Sequence, residues 1–306
     1  KFQMKNGNWV LGPDGKPLPD PSDKSLGSYY VDPRKASNPE EQDGGYHLRL
    51  VTLDETTPFN MAANQKSYAR FRHQPDSIAL HPSGHVVAIN SEHKRIQIGV
   101  LALGGANDED LPLARVYGGE AQVQHRPGFL FHPVAVTCSY DGTILVLEDT
   151  KAGNSNSLIL ARIQAFDLRG RPVNRFFDSG GNPSPFLNIS TTGANTYLDI
   201  AAVGDQKMTY MYVLYYTGAG DAPSDYHMSI YQYGQTVPGS NPLVTTDNLA
   251  AAKLAVDMWH TAYVLNYDMT TDGKGNHAGP SSGSNVGPAG RTVPSVSEWL
   301  PPTPKS

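Results

Sequence analysis

The sequence predicts an all-β fold of repeated antiparallel strands, and three observations carry the prediction. A motif appears twice, short apolar runs recur between turn residues, and the composition is that of a turn-dense chain. Of 306 residues, 30 are Gly, 24 are Pro and only 17% are charged, a balance that suits many tight connections.

The first motif copy runs Pro75, Ile78, Leu80, Gly84, Val86–Ile89 and then Arg95-Ile96-Gln97. The second runs Pro133, Val136, Cys138, Gly142, Ile144–Leu147 and then Arg162-Ile163-Gln164. The Pro-to-Gly offset is nine positions in both, so the repeat governs the rest of the reading. Each copy reads as two strands and a tight turn. Ile78 and Leu80 alternate on the first strand, as do Val136 and Cys138. Ser83-Gly84 and Asp141-Gly142 fit hairpin turns, where Gly accepts a positive φ. Val86–Ile89 and Ile144–Leu147 are apolar on both faces, as a strand buried between two neighbouring sheets is. Ile78, Val87, Ile89, Val136, Leu145, Leu147 and Ile163 are therefore the expected core. The Arg-Ile-Gln strand follows after a loop that is longer in the second copy, chiefly through the polar segment 151–157.

A degenerate third copy follows. Leu198, Ile200 and Ala202 alternate, Tyr210–Tyr216 is a continuous aromatic and apolar strand, and Met228–Tyr233 comes after a polar loop at 218–225. Lys253–Asp257 and Ala262–Asn266 suggest a fourth. Asn248–Met258 has helix propensity, but Leu254 to Val256 matches a first-strand position and is read as strand. Four-stranded antiparallel sheets repeated radially make a β-propeller, whose repeats are about 40–50 residues long. The two clear copies lie 58 residues apart, so long inter-blade loops are expected.

The Pro-x-x-Ile/Val start, the first-turn Gly, the apolar second strand and the Arg-Ile-Gln third strand resemble NHL-repeat propellers. The resemblance covers roughly residues 72–268 and departs from the family in spacing. After the second strand, where the family carries an aspartate, the chain has Asn90-Ser91 in one copy and Glu148-Asp149 in the other. What the resemblance implies is a propeller fold; propellers host binding modules and enzymes alike.

The expected organisation is an extended Pro/Gly-rich segment at 1–40 contributing edge strands, a propeller at 41–300 and a tail at 301–306. Spare strands for ring closure are Trp9–Leu11, Tyr29–Val31, His47–Leu53 and Ser295–Trp299. The N-terminal segment is expected to add strands to the sheet that holds Val296 and Trp299, because an open ring leaves sheet edges exposed. Loops 151–157 and 270–294 are expected at the surface. The chain begins at Lys1, so either a leader has been removed or the chain is a segment of a longer polypeptide; a homo-oligomer is a further assembly left open.

Charge and hydropathy narrow the partners. Lys and Arg total 24 against 29 Asp and Glu, with no basic stripe of the kind phosphate neutralisation needs, so no nucleic acid is expected. No apolar run reaches the ~18 residues of a membrane span. The one cysteine, Cys138, reads as a small core hydrophobe. Ten histidines include no zinc signature. His73 and His132, just before the repeat prolines, are the candidate metal ligands, because lyases that resemble NHL propellers hold a metal on the axis there. Gly279–Gly283 matches a nucleophile-elbow pattern by letter, but its flanks are loop residues. No cofactor is firmly implied. A structural Ca²⁺ on the acidic loops, such as 107–110 and 268–272, and a divalent metal on the axis are the two left open. Seven tyrosines lie between Tyr210 and Tyr233; of these, Tyr215, Tyr216 and Tyr226 are the candidate ligand-binding residues, since a Tyr face suits glycan stacking and protein contact.

The expected function is a non-catalytic propeller scaffold presenting loops to a protein or carbohydrate partner, extracellular or at a cell surface. The alternative is a metal-dependent propeller enzyme, a lyase or hydrolase, with its site on the central channel.

Overall fold

A computed structural model describes residues 4–5, 8–9, 45–49, 66–107, 110–120, 126–149, 161–190, 195–204, 208–218, 225–233, 242–247, 251–266 and 295–299. The strands in chain order are β1 (Met4–Lys5), β2 (Asn8–Trp9), β3 (Tyr46–Arg49), β4 (Ser67–Phe71), β5 (Ser77–His81), β6 (His85–Asn90), β7 (Arg95–Val100) and β8 (Arg115–Gly118). They continue as β9 (Pro133–Cys138), β10 (Ile144–Asp149), β11 (Ala161–Phe166), β12 (Phe176–Phe177), β13 (Pro183–Ser184) and β14 (Phe186–Ser190). The last are β15 (Asn195–Gly204), β16 (Thr209–Thr217), β17 (Tyr226–Tyr233), β18 (Val244–Asp247), β19 (Ala251–Val256), β20 (Ala262–Asn266) and β21 (Ser295–Trp299). The fold is all-β and antiparallel; among the described residues there is no α-helix.

The chain divides into two compact units. The smaller comprises residues 1–74 and 99–114, the larger 75–98 and 115–306. In the smaller, β3 pairs with β4. The far edge of β4 is tied to the return segment: Ser67 and Ala106 exchange backbone hydrogen bonds at 3.0 and 2.9 Å, and Ala114 N donates to Arg70 O at 2.9 Å. Ala69 and Phe71 are buried on it.

Among the described residues the larger unit holds four consecutive sheets of three or four strands, besides the two-stranded β12-β13 pair. Three are four-stranded, ordered β5-β6-β7-β8, β9-β10-β11-β14 and β15-β16-β17-β18; the fourth is β19-β20-β21. The first strands neighbour one another, β5 beside β9, β9 beside β15 and β15 beside β19. The two motif copies occupy matching places. Gly84 and Gly142 close the first hairpins with φ of 79° and 80°, each N–H bonding the carbonyl three residues back. The fourth sheet makes the same turn with His260 at φ 68°, where the Asp257 carboxylate accepts the N–H of Trp259 and of Thr261, each at 2.9 Å.

The second strands show why a run apolar on both faces is needed. On β10, Ile144 and Val146 join a core with Val87, Ile89 and Ile96 of the first sheet. Leu145 and Leu147 join another with Met211, Val213 and Tyr231 of the third. On β16, Tyr212 and Leu214 face a third core that includes Ala262 and Val264. Successive side chains point to opposite faces of a strand, so β10 and β16 each fill two inter-sheet cores. The Arg-Ile-Gln strand of the second copy, β11, adds polar contacts. Gln164 accepts from Gly128 N at 2.8 Å and donates to Phe129 O at 3.1 Å. Arg162 donates to buried Glu148 and stacks on Phe186, 4.3 Å from its centroid. These side chains fix the loop that feeds β9.

Three expectations meet the structure differently or fall outside it. Ile78 was expected in the core, yet it is 47% exposed. Alternation gives two faces of β5 and does not say which one another sheet covers. Val87, Ile89, Val136, Leu145, Leu147 and Ile163 are buried as expected. Among the described residues the sheet holding Val296 and Trp299 is β19-β20-β21, and β1 pairs with β2. Tyr29–Val31, the loops 151–157 and 270–294, the Gly279–Gly283 pattern and the tail 301–306 lie outside the described residues.

Candidate functional site

The four neighbouring first strands line an open cavity of about 690 Å³, formed by residues 76–80, 136–138, 199–202 and 253–256. Its walls are mixed. Ile78 and Leu80 on β5 present apolar surface, Leu80 being 66% exposed. Asp76, Asp199 and Lys253 carry its charge, and Ser77, Thr137 and Cys138 complete the polar lining.

Asp199 is the most constrained of these groups. It sits on β15, where an acid interrupts the apolar stretch Leu198 to Ala202. Its Oδ1 accepts the N–H of Ile200 at 3.1 Å and its Oδ2 that of Leu254, on β19, at 3.0 Å. Lys253 Nζ stands 3.8 Å from Oδ1. Burial pushes the Asp199 carboxyl up from the ordinary value, against the pull of Lys253 and the two N–H donors. A desolvated carboxylate beside an ammonium in a cavity is a recurrent mark of a functional site. Asp76 lies exposed before β5 and is oriented by Ser91 N, which donates to its Oδ2 at 2.5 Å. Burial pushes the Cys138 thiol up to about 12, so it stays protonated and is a weak nucleophile at neutral pH.

Polar staples set the sheets against each other around this cavity. Val136 N donates to Ser77 Oγ at 3.1 Å, and Tyr197 N to Asp149 Oδ2 at 3.2 Å. At the first-hairpin turns, His81 Nε2 lies 2.9 Å from Gly142 O. A carbonyl only accepts, so Nε2 carries the proton. Tyr233 donates toward Ser139 Oγ at 2.9 Å and Asp141 Oδ1 at 3.1 Å. The same turns expose Tyr140, Met258 and Trp259, at 65%, 74% and 73%.

The residues singled out from sequence stand elsewhere. His132 directly precedes β9 and is half-buried. Burial, then Lys94, lowers its imidazole pKa, with Asp149 opposing. His73 belongs to the smaller unit and His132 to the larger. Neither lines the cavity. Among the described residues no group of three or more His, Cys, Asp or Glu could hold a metal ion. Tyr226 is 2% exposed and packs on Tyr216, with centroids 5.5 Å apart. Tyr215 lies between Tyr197 and His227, at 5.4 and 5.2 Å. Their rings fill the sheet faces. The sequence signal that marks the cavity was a charge inside an apolar first strand, Asp199 and Lys253, and no motif pointed to it.

Among the described residues no helix is long and apolar enough to cross a membrane. No family model matches the chain, and no curated protein matches it. Among solved structures, a protein of unknown function from Bacteroides caccae is 11% identical with a TM-score of 0.30, over 76% of this chain and 85% of that one. A mutant of the GH43 protein BlXynB from Bacillus licheniformis is 12% identical with a TM-score of 0.25, over 65% of this chain and 49% of that one. Likenesses this slight establish neither a shared fold nor a shared activity.

Proposed function

We propose that the chain is a β-propeller of the NHL-repeat kind that works as a non-catalytic binding module, taking part of a partner into the cavity between its first strands. The observation that carries the reading is the cavity itself: about 690 Å³, within the range of ligand sites, with mixed walls in which aliphatic surface stands beside a few fixed polar groups. The equivalent places of Gly84 and Gly142, and the side-by-side first strands, support the propeller arrangement. The exposed Ile78 and Leu80 are aliphatic, which favours a peptide over a sugar, since sugars stack on aromatic faces. The exposed Met258 and Trp259 on a neighbouring turn extend the surface a protein partner would meet.

The test is selection of displayed peptides and an arrayed set of glycans against the intact chain, repeated with Ala255→Trp. Ala255 is exposed in the cavity wall, so the larger side chain fills the space. Binders that are lost on Ala255→Trp, with an unchanged melting temperature, support the reading. Binders indifferent to the substitution place recognition elsewhere.

A further inference from the structure

We propose that the cavity takes a cationic head on an apolar stem, the chemistry of a lysine or arginine side chain of a partner protein. The inference rests on the cavity being the binding site and names what enters it.

Charge decides between the two signs. The lining holds two carboxylates, Asp76 and Asp199, against one ammonium, Lys253, which leaves one net negative charge. The apolar wall decides the rest. Ile78 at 47% and Leu80 at 66% exposure offer aliphatic surface, and a long basic side chain lays its methylenes along such surface while its head seeks charge.

Lys253 already shows this chemistry in place. Its ammonium lies 3.8 Å from Asp199 Oδ1 while 54% of the side chain remains exposed. The pair is loose, and ion pairs of that kind hold weakly. Lys253 is thus a tethered occupant that an incoming cation displaces. Asp199 itself is held by the N–H groups of Ile200 and Leu254, so the carboxylate stays in position when the partner exchanges.

The experiment uses three probes with one stem: n-butylammonium, butyrate and 1-butanol, titrated into the full chain. The readout is the methyl resonances of Ile78 and Leu80. The expected result is saturable shifts with butylammonium alone. Lys253→Met removes the internal competitor and should tighten butylammonium about two- to fivefold, the strength of an exposed ion pair. Asp76→Asn, which keeps an acceptor for Ser91 N, should weaken it. Asp199→Asn should weaken it about tenfold, as loss of a charge-assisted contact does. Shifts with butyrate or butanol in place of butylammonium, or a weakening on Lys253→Met, overturn the assignment of charge and leave the cavity a binding site. Shifts with none of the three overturn both.

Discussion

The carboxylate of Asp199, on the first strand of the third sheet, accepts the backbone N–H of Leu254, on the first strand of the fourth, at 3.0 Å. One side chain thereby joins two sheets and forms part of the cavity wall between them. Asp199→Ala strands that N–H and the N–H of Ile200, and each buried donor left unpaired costs about 1–3 kcal/mol. The expected loss is about 2–6 kcal/mol in urea unfolding, with a smaller loss for Asp199→Asn, which can still accept.

Asp141 and Asp199 should bend the pH profile of stability in opposite directions. Burial pushes Asp141 up, but hydrogen bonds from Ser139 and Thr143 and the Arg175 guanidinium outweigh it and hold its carboxyl below the ordinary value. Its contribution is complete above about pH 4 and is lost as pH falls through the folded value. Asp199 is raised, so its contribution is present below about pH 4 and is lost as pH rises toward its folded value. Urea midpoints across this range should show a shallower acid limb for Asp141→Asn. Asp199→Asn should instead remove a decline on the other side.

Glu148 and Arg162 form a buried ion pair, their side chains 0% and 2% exposed. Glu148 also accepts Phe131 N at 3.0 Å. Removing one partner, as in Arg162→Met, should cost about 3–5 kcal/mol. Glu148→Leu with Arg162→Met should recover part of that loss, because no charge is left buried alone while the Phe131 N–H loses its acceptor. A double-mutant cycle by chemical denaturation measures the difference.

Two glycines with similar backbones should respond unequally. Gly84 at φ +79° has open space where a Cβ would stand, so Gly84→Ala costs only the left-handed strain, about 1–2 kcal/mol. Gly170 at φ +69° would place a Cβ 2.1 Å from the Tyr117 ring. Gly170→Ala should therefore cost more than Gly84→Ala by at least about 1 kcal/mol of overpacking, read as the gap between their melting curves.

The sequence made the interior legible and left the edges and the cavity obscure. Gly84, Gly142 and the paired apolar runs marked turns and middle strands because those positions obey backbone and packing rules within a few residues. The fourth strands, Arg115–Gly118, Phe186–Ser190 and Val244–Asp247, carried little signal. An edge strand packs less, and Val244–Asp247 reads Val-Thr-Thr-Asp. Ile78 and Leu80 showed period-two alternation, which cannot tell a wall of a cavity from a wall of a core. Asp199 and Lys253 lie in the degenerate copies, where the meeting of two strands distant in sequence, and no local spacing, makes the site. The Tyr cluster drew notice by composition, but Tyr226 serves packing.

The most direct test of the account is where a selected peptide binder perturbs the methyl spectrum of the intact chain. The account predicts the largest changes at Ile78, Leu80, Leu254 and Val256, all in the cavity wall, and their loss in Ala255→Trp. Largest changes at Met258, with Ile78 and Leu80 silent, would contradict it and assign recognition to the exposed turn.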